Sequence, residues 1–282
     1  MIFKDFRPRP QLEEFVEIYH LRHFIFSNNI KLPFKPYPPR PEQCIAFYPR
    51  GSEFTEVVPD GCIIKKPKSV ITGQFTNRIN RYTSNEFMIL IVVFKPGALH
   101  RLTGISFQQV MNKHIDLEAV FPTETRQVNE RLNSSNDYTE MISIIESYLL
   151  KMAKNIKIES RPSDQVVLLL ANRPQKYSLD WLAREACLSP RQLERKFYQY
   201  LGVCPKIFAR IVRFDQSYTM RLKNPKDDWL SIAVACGYHD YSHLVRDCKE
   251  FAGASPVNYF LQDVDAPERY FEFMKPEKYI SI

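Results

Sequence analysis

Basic side chains that could hold a polyanion are concentrated in one stretch of this sequence. Residues 173–226 contain 12 Lys/Arg and 4 Asp/Glu, whereas residues 227–260 contain 2 Lys/Arg and 5 Asp/Glu. The whole chain of 282 residues carries a formal net charge of +7. A local excess of Lys and Arg is typical of a nucleic-acid-binding surface. We therefore expect the first stretch to supply most of the electrostatic affinity for such a partner.

The basic stretch and the acidic stretch after it repeat one pattern of residues. Four pairs of identical residues are separated by 51 positions, namely Leu193 and Leu244, Arg195 and Arg246, Gly202 and Gly253, and Pro205 and Pro256. Ala183 and Ala233 are separated by 50 positions, so the second copy has one extra residue between its two helices. This duplication predicts two copies of the same small structural unit.

Each copy has the local signals of a helix-turn-helix. In the first copy, Ser178 can cap one helix, and Ser189 followed by Pro190 can begin the second. Gly202 is placed to end that second helix. In the second copy, Asp240 occupies the capping position of the second helix.

Helical spacing divides the second helix of each copy into an inner and an outer face. The apolar side chains expected to point inward are Leu193, Phe197 and Tyr200 or Leu201 in the first copy, and Leu244, Cys248 and Phe251 in the second. The outward side chains are Arg191, Gln192, Glu194, Arg195 and Lys196 in the first copy, and Tyr241, Ser242, Val245 and Arg246 in the second. These outward side chains are expected to meet solvent or a ligand.

The duplicated stretch resembles the DNA-binding domain of AraC/XylS-type transcriptional regulators, in which a long helix joins two helix-turn-helix units. The matching residues are Leu182, Ala183, Ser189, Pro190, Arg191, Leu193, Arg195, Phe197, Gly202, Pro205, Ile232, Ala233, Gly237, Tyr238, Asp240, Ser242, Arg246, Lys249, Gly253 and Pro256. One departure is Cys248, where the family usually has phenylalanine. The resemblance implies a sequence-specific regulator that reads two successive major grooves of double-stranded DNA.

The resemblance also implies roles for individual residues. Its base-reading positions fall on Arg191, Glu194, Arg195, Tyr241, Ser242, Val245 and Arg246. Arginine can pair with guanine through two hydrogen bonds, and glutamate can accept from the cytosine amino group. Phosphate contacts are expected from Ser189, Lys196, Lys206 and Arg210. The alternatives are an internal ion pair for Arg195 and Arg246, and solvated helix charge for the phosphate-contacting cations.

Composition and periodicity predict an α+β chain in three parts. Residues 1–157 are expected to form a β-rich domain, a barrel or a sandwich, that ends in helices. Residues 158–262 form the all-α double helix-turn-helix domain, and residues 263–282 form a tail. Short strands bounded by turn residues are predicted at 43–48, 53–58, 69–75, 78–83 and 87–94.

Helical patterns dominate after residue 97. Helices are predicted at 98–102, 106–111, 117–121, 138–154 and 163–171, and at 205–222, where one helix joins the two repeated units. Residues 11–20 suit either a short helix or a strand. The run 92–98 and the residues 102–105 also resemble, more loosely, the N-terminal domain of some members of the same regulator family. That likeness supports the domain order and adds no chemistry.

The main alternative is an enzyme or a metal sensor in the first domain. His20, His23, His100 and His114 could surround a metal in a barrel, although no carboxylate partner accompanies them. Cys62 could be a nucleophile beside a histidine, and is otherwise expected to be a small buried hydrophobic residue. We expect no catalytic residue, no metal site and no cofactor.

Two further alternatives are a non-specific architectural DNA binder and a regulator whose first domain only dimerises. The expected partners are double-stranded DNA, a small-molecule effector and RNA polymerase, and no membrane is expected as a partner. The protein is expected to be a monomer or a homodimer in the cytoplasm. Six cysteines without a CxxC pair favour reduced thiols. The longest apolar run, 87–94, is too short to span a bilayer.

Overall fold

A computed structural model describes residues 2–27, 32–58, 61–154, 156 and 162–264. The first half of the chain forms two antiparallel sheets. Their strands are β1 (Ile2–Phe6), β2 (Val16–Ile25), β3 (Lys35–Tyr37), β4 (Gln43–Arg50), β5 (Glu53–Val57), β6 (Cys62–Lys65), β7 (Ser69–Thr72), β8 (Ile79–Thr83), β9 (Glu86–Phe94) and β10 (His114–Asp116). The five strands predicted from the sequence are confirmed.

The larger sheet has six strands in the order β1-β2-β9-β4-β7-β10. Along β9, alternate side chains point to opposite faces, as the pleat of a strand requires. Phe87 and Ile89 join a small cluster with Tyr48 of β4 on one face. Leu90 and Phe94 join the main core on the other face. The sheet is therefore buried on both sides, which explains the continuous apolar run.

The smaller sheet has four strands in the order β3-β8-β5-β6. In both sheets the strand order has two ends, so neither sheet closes on itself. The sandwich-like interpretation therefore describes this domain loosely, and the closed-barrel interpretation is wrong. Residues 11–20, which the sequence left open, form part of a short 3-10 helix, Pro10–Leu12, and the start of β2.

Helices cover the outer face of the larger sheet. They are α1 (Ala98–Thr103), α2 (Leu117–Val120), α3 (Pro122–Ser134) and α4 (Tyr138–Lys154), with a 3-10 helix at Phe107–Val110. The bounds of α4 match the predicted 138–154. Met141, Ile145 and Leu149 of its apolar stripe are fully buried in the main core. This stripe therefore packs internally instead of forming a free dimerisation face.

The second half of the chain is helical. Its elements are α5 (Pro162–Asn172), α6 (Leu179–Glu185), α7 (Pro190–Leu201), α8 (Pro205–Lys223), α9 (Trp229–Ala235), α10 (Tyr241–Ala252) and α11 (Pro256–Val264). Leu193 and Phe197 of α7 pack with Leu182 and Ala183 of α6 in one core. Leu244 of α10 packs in a separate small core with Ile232 and Ala233 of α9 and with Cys236, which follows α9. Each repeated unit therefore has its own core, as the duplication predicts.

The predicted boundary between the domains falls mostly on residues 155 and 157–161, which lie outside the described residues. Most of the predicted tail, residues 265–282, also lies outside them. Among the described residues, no helix combines the length and the apolar character needed to cross a bilayer.

The glycines that end α7 and α10 allow a matched test of the packing around the first unit. Gly202 and Gly253 both have a left-handed backbone, with φ of 82° and 72°. A Cβ at Gly202 would lie 2.7 Å from the carbonyl oxygen of Phe107, whereas one at Gly253 would meet nothing within 4 Å. Gly253→Ala should therefore cost only the left-handed strain, about 1–2 kcal/mol.

Gly202→Ala should lower the free energy of unfolding further than Gly253→Ala does, because it also forces α7 away from Phe107. Chemical denaturation of the two variants, compared with the unchanged chain, measures both effects. Equal losses for the two variants would show that the close approach of Gly202 to Phe107 does not contribute to stability.

Candidate nucleic-acid interface

Helix α7 presents the base-reading residues predicted for the first unit. The Ser189 hydroxyl accepts the backbone N–H of Gln192 at 3.3 Å, and the Gln192 side chain accepts the N–H of Ser189 at 2.8 Å. This reciprocal capping fixes the start of the helix. Arg191, Glu194 and Arg195 are exposed on the face opposite the buried apolar side chains. The structure thus places all three predicted residues on one accessible helix.

Helix α10 is the corresponding helix of the second unit. The Asp240 carboxylate accepts the backbone N–H of His243 at 3.0 Å, and this hydrogen bond lowers the pKa of Asp240 to about 2. Ser242 and Arg246 are exposed, whereas Tyr241 and Val245 are half-buried. The four predicted residues of this helix are therefore accessible to different extents.

Two arginines at equivalent positions of the repeat keep their guanidinium groups available. Within the described residues, neither Arg195 nor Arg246 takes part in an ion pair. The internal ion pair considered for them from the sequence is therefore not formed there. Contact with bases stays a prediction for both residues, and a free, exposed guanidinium is what that prediction needs.

The predicted phosphate contact of Arg210 competes with internal ion pairs. Its guanidinium donates to Asp247 at 2.7 Å and to Glu250 at 2.5 Å, and both acceptors lie on α10. The hydrogen bonds that Arg210 donates to Glu250 and to Asp247 raise the pKa of Arg210. Arg210 therefore ties the joining helix α8 to the second unit, and its phosphate role stays a prediction with this arrangement against it.

The other predicted phosphate contacts lie on accessible surface. Lys206 is exposed at the start of α8, and Ser189 is exposed at the start of α7. Lys196 is half-buried, and its ammonium group lies 3.3 Å from the Gln199 side-chain oxygen and 5.5 Å from the centre of the Tyr200 ring. Lys206 is thus the member of this set with the least internal engagement among the described residues, since Ser189 also takes part in the capping of α7.

The first domain contacts the C-terminal ends of α7 and α10. The Gln43 amide donates to the Tyr200 carbonyl of α7 at 2.7 Å, and the His100 ring stacks on the Tyr200 ring at 4.9 Å between centres. Arg78 donates to the Ala252 carbonyl of α10 at 3.2 Å and to the Gln262 side chain at 2.8 Å. The N-terminal halves of α7 and α10 remain accessible.

Sequence reasoning missed Gln43 and Arg78. Each contacts a residue more than 150 positions away, since Gln43 bonds residue 200 and Arg78 bonds residue 252. Neither belongs to a local motif, so no periodicity or spacing marks it.

A cavity of about 300 Å³ lies between the two sheets of the first domain. Aromatic and aliphatic side chains from both sheets line it, among them Phe24, Tyr37, Tyr48, Ile79, Phe87 and Ile89. This volume and this lining are typical of a site for a small organic ligand.

Arg40 is a charged residue of the cavity wall whose field reaches the joining helix. It lines the cavity, and its guanidinium lies 5.0 Å from the centre of the Tyr37 ring and 4.0 Å from the Glu42 carboxylate. Burial raises the pKa of Asp215 on α8 to about 6, while the positive charge of Arg40 acts in the opposite direction. Arg40 is therefore close enough to influence a charged group in the DNA-binding half.

The histidines of the first domain do not form one metal site. His20 lies 2.7 Å from Asp5, His23 lies 2.9 Å from the Tyr138 hydroxyl, and His100 lies 2.7 Å from the Ile105 carbonyl. In the described part of the chain, three potential metal-ligand atoms come within 4.8 Å of one another only at His239, Asp240 and His243. The grouping of His20, His23, His100 and His114 expected for a metal sensor is therefore not present.

The interpretation of Cys62 as a buried residue is wrong. Cys62 is exposed on the edge strand β6, because that strand pairs on one side only and all four of its residues face solvent. All six cysteines have free thiols.

Two helix-turn-helix units joined by a 19-residue helix, α8, define a double helix-turn-helix DNA-binding domain. Residues 182–262 match a family model described as a helix-turn-helix domain, of the AraC type. These residues therefore form a helix-turn-helix domain of the AraC type. Residues 4–116 match a second model, a domain of unknown function (DUF6597).

Two curated relatives align with part of the chain. The HTH-type transcriptional regulator ArgR of Pseudomonas aeruginosa is 31% identical over 91 residues, which cover 32% of this chain and 27% of that protein. An uncharacterized HTH-type transcriptional regulator of Haemophilus influenzae is 26% identical over 116 residues, covering 41% of this chain and 39% of that protein. The chain thus aligns with well under half the length of either relative.

A solved structure is similar over most of the chain. Wild-type ToxT of Vibrio cholerae with a bound unsaturated fatty acid superposes with a TM-score of 0.50 and 13% sequence identity. The match covers 86% of this chain and 95% of that one. At this identity the likeness concerns the fold, a β-rich domain followed by helix-turn-helix units.

Proposed function

We propose that this protein is a sequence-specific DNA-binding transcriptional regulator without enzymatic activity. The observation that carries the proposal is the pair of helix-turn-helix units in one chain, each with accessible side chains on the N-terminal half of its second helix. Two such helices can read two successive major grooves, whose centres lie about 34 Å apart on one face of B-DNA. One chain then recognises a two-part site without the need for a palindrome.

The two units contribute unequally to binding. Residues 173–226 hold the basic excess, whereas Asp247 and Glu250 of the second unit are paired with Arg210. We therefore assign most of the phosphate attraction to the first unit, with Arg191, Glu194 and Arg195 reading bases there. Tyr241, Ser242, Val245 and Arg246 read the second half-site at a smaller electrostatic gain.

The first domain is proposed to respond to a small molecule. Its cavity is lined by both sheets, and Arg40, which lines that cavity, carries a positive charge that acts against burial to lower the pKa of Asp215 on the joining helix. The similar ToxT structure was solved with an unsaturated fatty acid bound, which supports a ligand-responsive protein of this fold. A ligand that moves Arg40 would change the electrostatic influence of Arg40 on Asp215 of the helix that joins the two reading units.

The remaining partners follow from this role. RNA polymerase is proposed as the protein partner at the promoter, and the protein is proposed to act in the cytoplasm as a monomer or a homodimer. Two reading units in one chain remove the geometric need for a dimer on DNA.

Selection of bound duplexes from a random-sequence pool tests the proposed function. We expect a non-palindromic motif of two parts whose centres are about 10 base pairs apart. Specific affinity should exceed affinity for unrelated duplexes by about 10³-fold or more. It should also fall steeply with salt, since each phosphate that the protein neutralises releases counterions.

The same experiment separates regulation from non-specific packaging of DNA. A pool that yields no enriched motif, with equal affinity for all duplexes, would identify an architectural binder and refute the sequence-specific role.

A further inference from the structure

The cavity between the two sheets contains more buried positive charge than its own acidic groups balance. Lys66 and Arg81 line the cavity, and both form ion pairs with the single carboxylate of Glu53. The side chains of Lys66, Arg81 and Glu53 are 6%, 15% and 0% exposed. Within the described residues, no other carboxylate pairs with Lys66 or Arg81. Two buried cations therefore share one anion.

The pKa values of Glu53 and Lys66 agree with an excess of positive charge at these ion pairs. Burial acts to raise the pKa of Glu53, but the charges of Arg81 and Lys66 outweigh it and lower that pKa to about 2. Burial lowers the pKa of Lys66 even though Glu53 lies beside it. A second anion in the cavity would favour the charged form of Lys66, since an opposite charge nearby stabilises the ammonium ion.

Further polar groups of the cavity wall suit an anion as well. The His114 ring lines the cavity, and its Nδ1 lies 3.2 Å from the Thr72 hydroxyl. Its Nε2 is buried without a hydrogen-bond partner among the described residues. Burial lowers the pKa of His114 well below its ordinary value, so the ring is neutral and carries one N–H donor.

The rest of the wall is apolar and largely aromatic. Phe87 and Ile89 come from the larger sheet, and Tyr37 and Ile79 come from the smaller one. Aromatic and aliphatic walls favour a ligand body that gains free energy when it leaves water. The cavity thus combines an apolar wall with two cations, Lys66 and Arg81, that share the Glu53 carboxylate.

We propose that this cavity binds a small organic anion with an aromatic or aliphatic body, whose carboxylate or equivalent anionic group pairs with Lys66 and Arg81. The proposal rests on the effector role proposed for the first domain and specifies the chemical class of that effector. Charge-assisted hydrogen bonds are stronger than neutral ones, and a bound anion also balances the second buried cation. A neutral ligand of the same shape would leave that cation uncompensated.

Matched ligands that differ only in charge test the proposal with the full chain. Naphthalene-2-carboxylate and naphthalene-2-carboxamide have the same aromatic body, and calorimetric titration gives the affinity of each. We expect the carboxylate to bind about tenfold more tightly than the amide. Lys66→Met should remove most of this preference. It should not unfold the protein, because Arg81 still pairs with Glu53.

Lys65→Met is the matched control, because Lys65 is exposed and adjacent in sequence. It should leave both affinities unchanged. Equal binding of the two compounds, no binding of either, or a carboxylate preference that survives in Lys66→Met would overturn the proposal. DNA binding of the same Lys66→Met protein is measured in parallel. If it is retained while the ligand results fail, only the ligand class is wrong and the regulatory role stands.

Discussion

Arg195→Ala is expected to weaken binding to the selected DNA site by about 1–3 kcal/mol, roughly five- to 150-fold. The Arg195 guanidinium is exposed on α7 and takes part in no ion pair among the described residues. Its loss would therefore remove the proposed base contact without breaking an internal one. Fluorescence anisotropy with the selected duplex, and with a duplex changed only in the first half-site, measures affinity and specificity together.

Arg246→Ala is expected to have a smaller effect than Arg195→Ala. Arg246 occupies the equivalent position of the repeat, but it lies in the stretch with 2 Lys/Arg and 5 Asp/Glu. Lys151→Ala is the control, because Lys151 is exposed on α4 in the first domain. Unchanged affinity for Arg195→Ala together with loss of binding for Arg246→Ala would reverse our assignment of the two units.

Glu53→Gln is expected to lower the free energy of unfolding by about 3–5 kcal/mol at pH 7, because it leaves Lys66 and Arg81 buried without their counterion. Denaturant unfolding of the variant and the unchanged chain measures this difference. Adding Lys66→Met to Glu53→Gln should recover part of the loss, since one buried cation is then removed. A stability equal to that of the unchanged chain would show that the ion-pair group does not stabilise the domain.

The destabilisation by Glu53→Gln should depend on pH in a defined direction. The pKa of Glu53 is lowered from 4.5 to about 2 in the folded protein. Its stabilising contribution is therefore complete above pH 4.5 and is lost as the pH falls toward 2. The difference between variant and unchanged chain should be constant from pH 7 to about 5 and should shrink below 4.5. Glu56→Gln, on the same strand, should show a smaller difference, because Glu56 is only half-buried.

Elements with strong local signals were predictable from the sequence. The capping residues Ser189 and Asp240 mark the starts of α7 and α10, and Gly202 marks an end. Strand β9 was predictable for the same reason, because the continuous apolar run of its sequence gives its length and its bounds. In each case the signal and the structure lie within a few neighbouring residues.

Other elements depend on partners that are distant in the chain. β3 has three residues and contains Pro36, and it is a strand only because β8 pairs with it. β10 is as short and pairs with β7. Helix α3 was also missed, because it is mostly polar and carries a narrow buried face of Val128 and Leu132. Such elements are stabilised by tertiary contacts more than by local preference.

The candidate sites divide in the same way. The exposed residues of α7 and α10 follow from helical spacing once the helices are identified. Two sets of ion pairs, those of Arg210 and those of Glu53 with Lys66 and Arg81, join residues that are between 13 and 40 positions apart in the chain. Charge alone does not show whether an arginine faces solvent, DNA or an acidic neighbour, so those roles needed the fold.

The hydrogen bonds from Gln43 to α7 and from Arg78 to α10 make one β-rich domain the common support of both recognition helices. Inserting about five base pairs between two half-sites turns one of them to the opposite side of the double helix. A protein whose two helices rest on the same support cannot readily follow that rotation. DNA sites that carry both half-sites in the wrong rotational phase should therefore bind the protein more weakly than correctly phased sites.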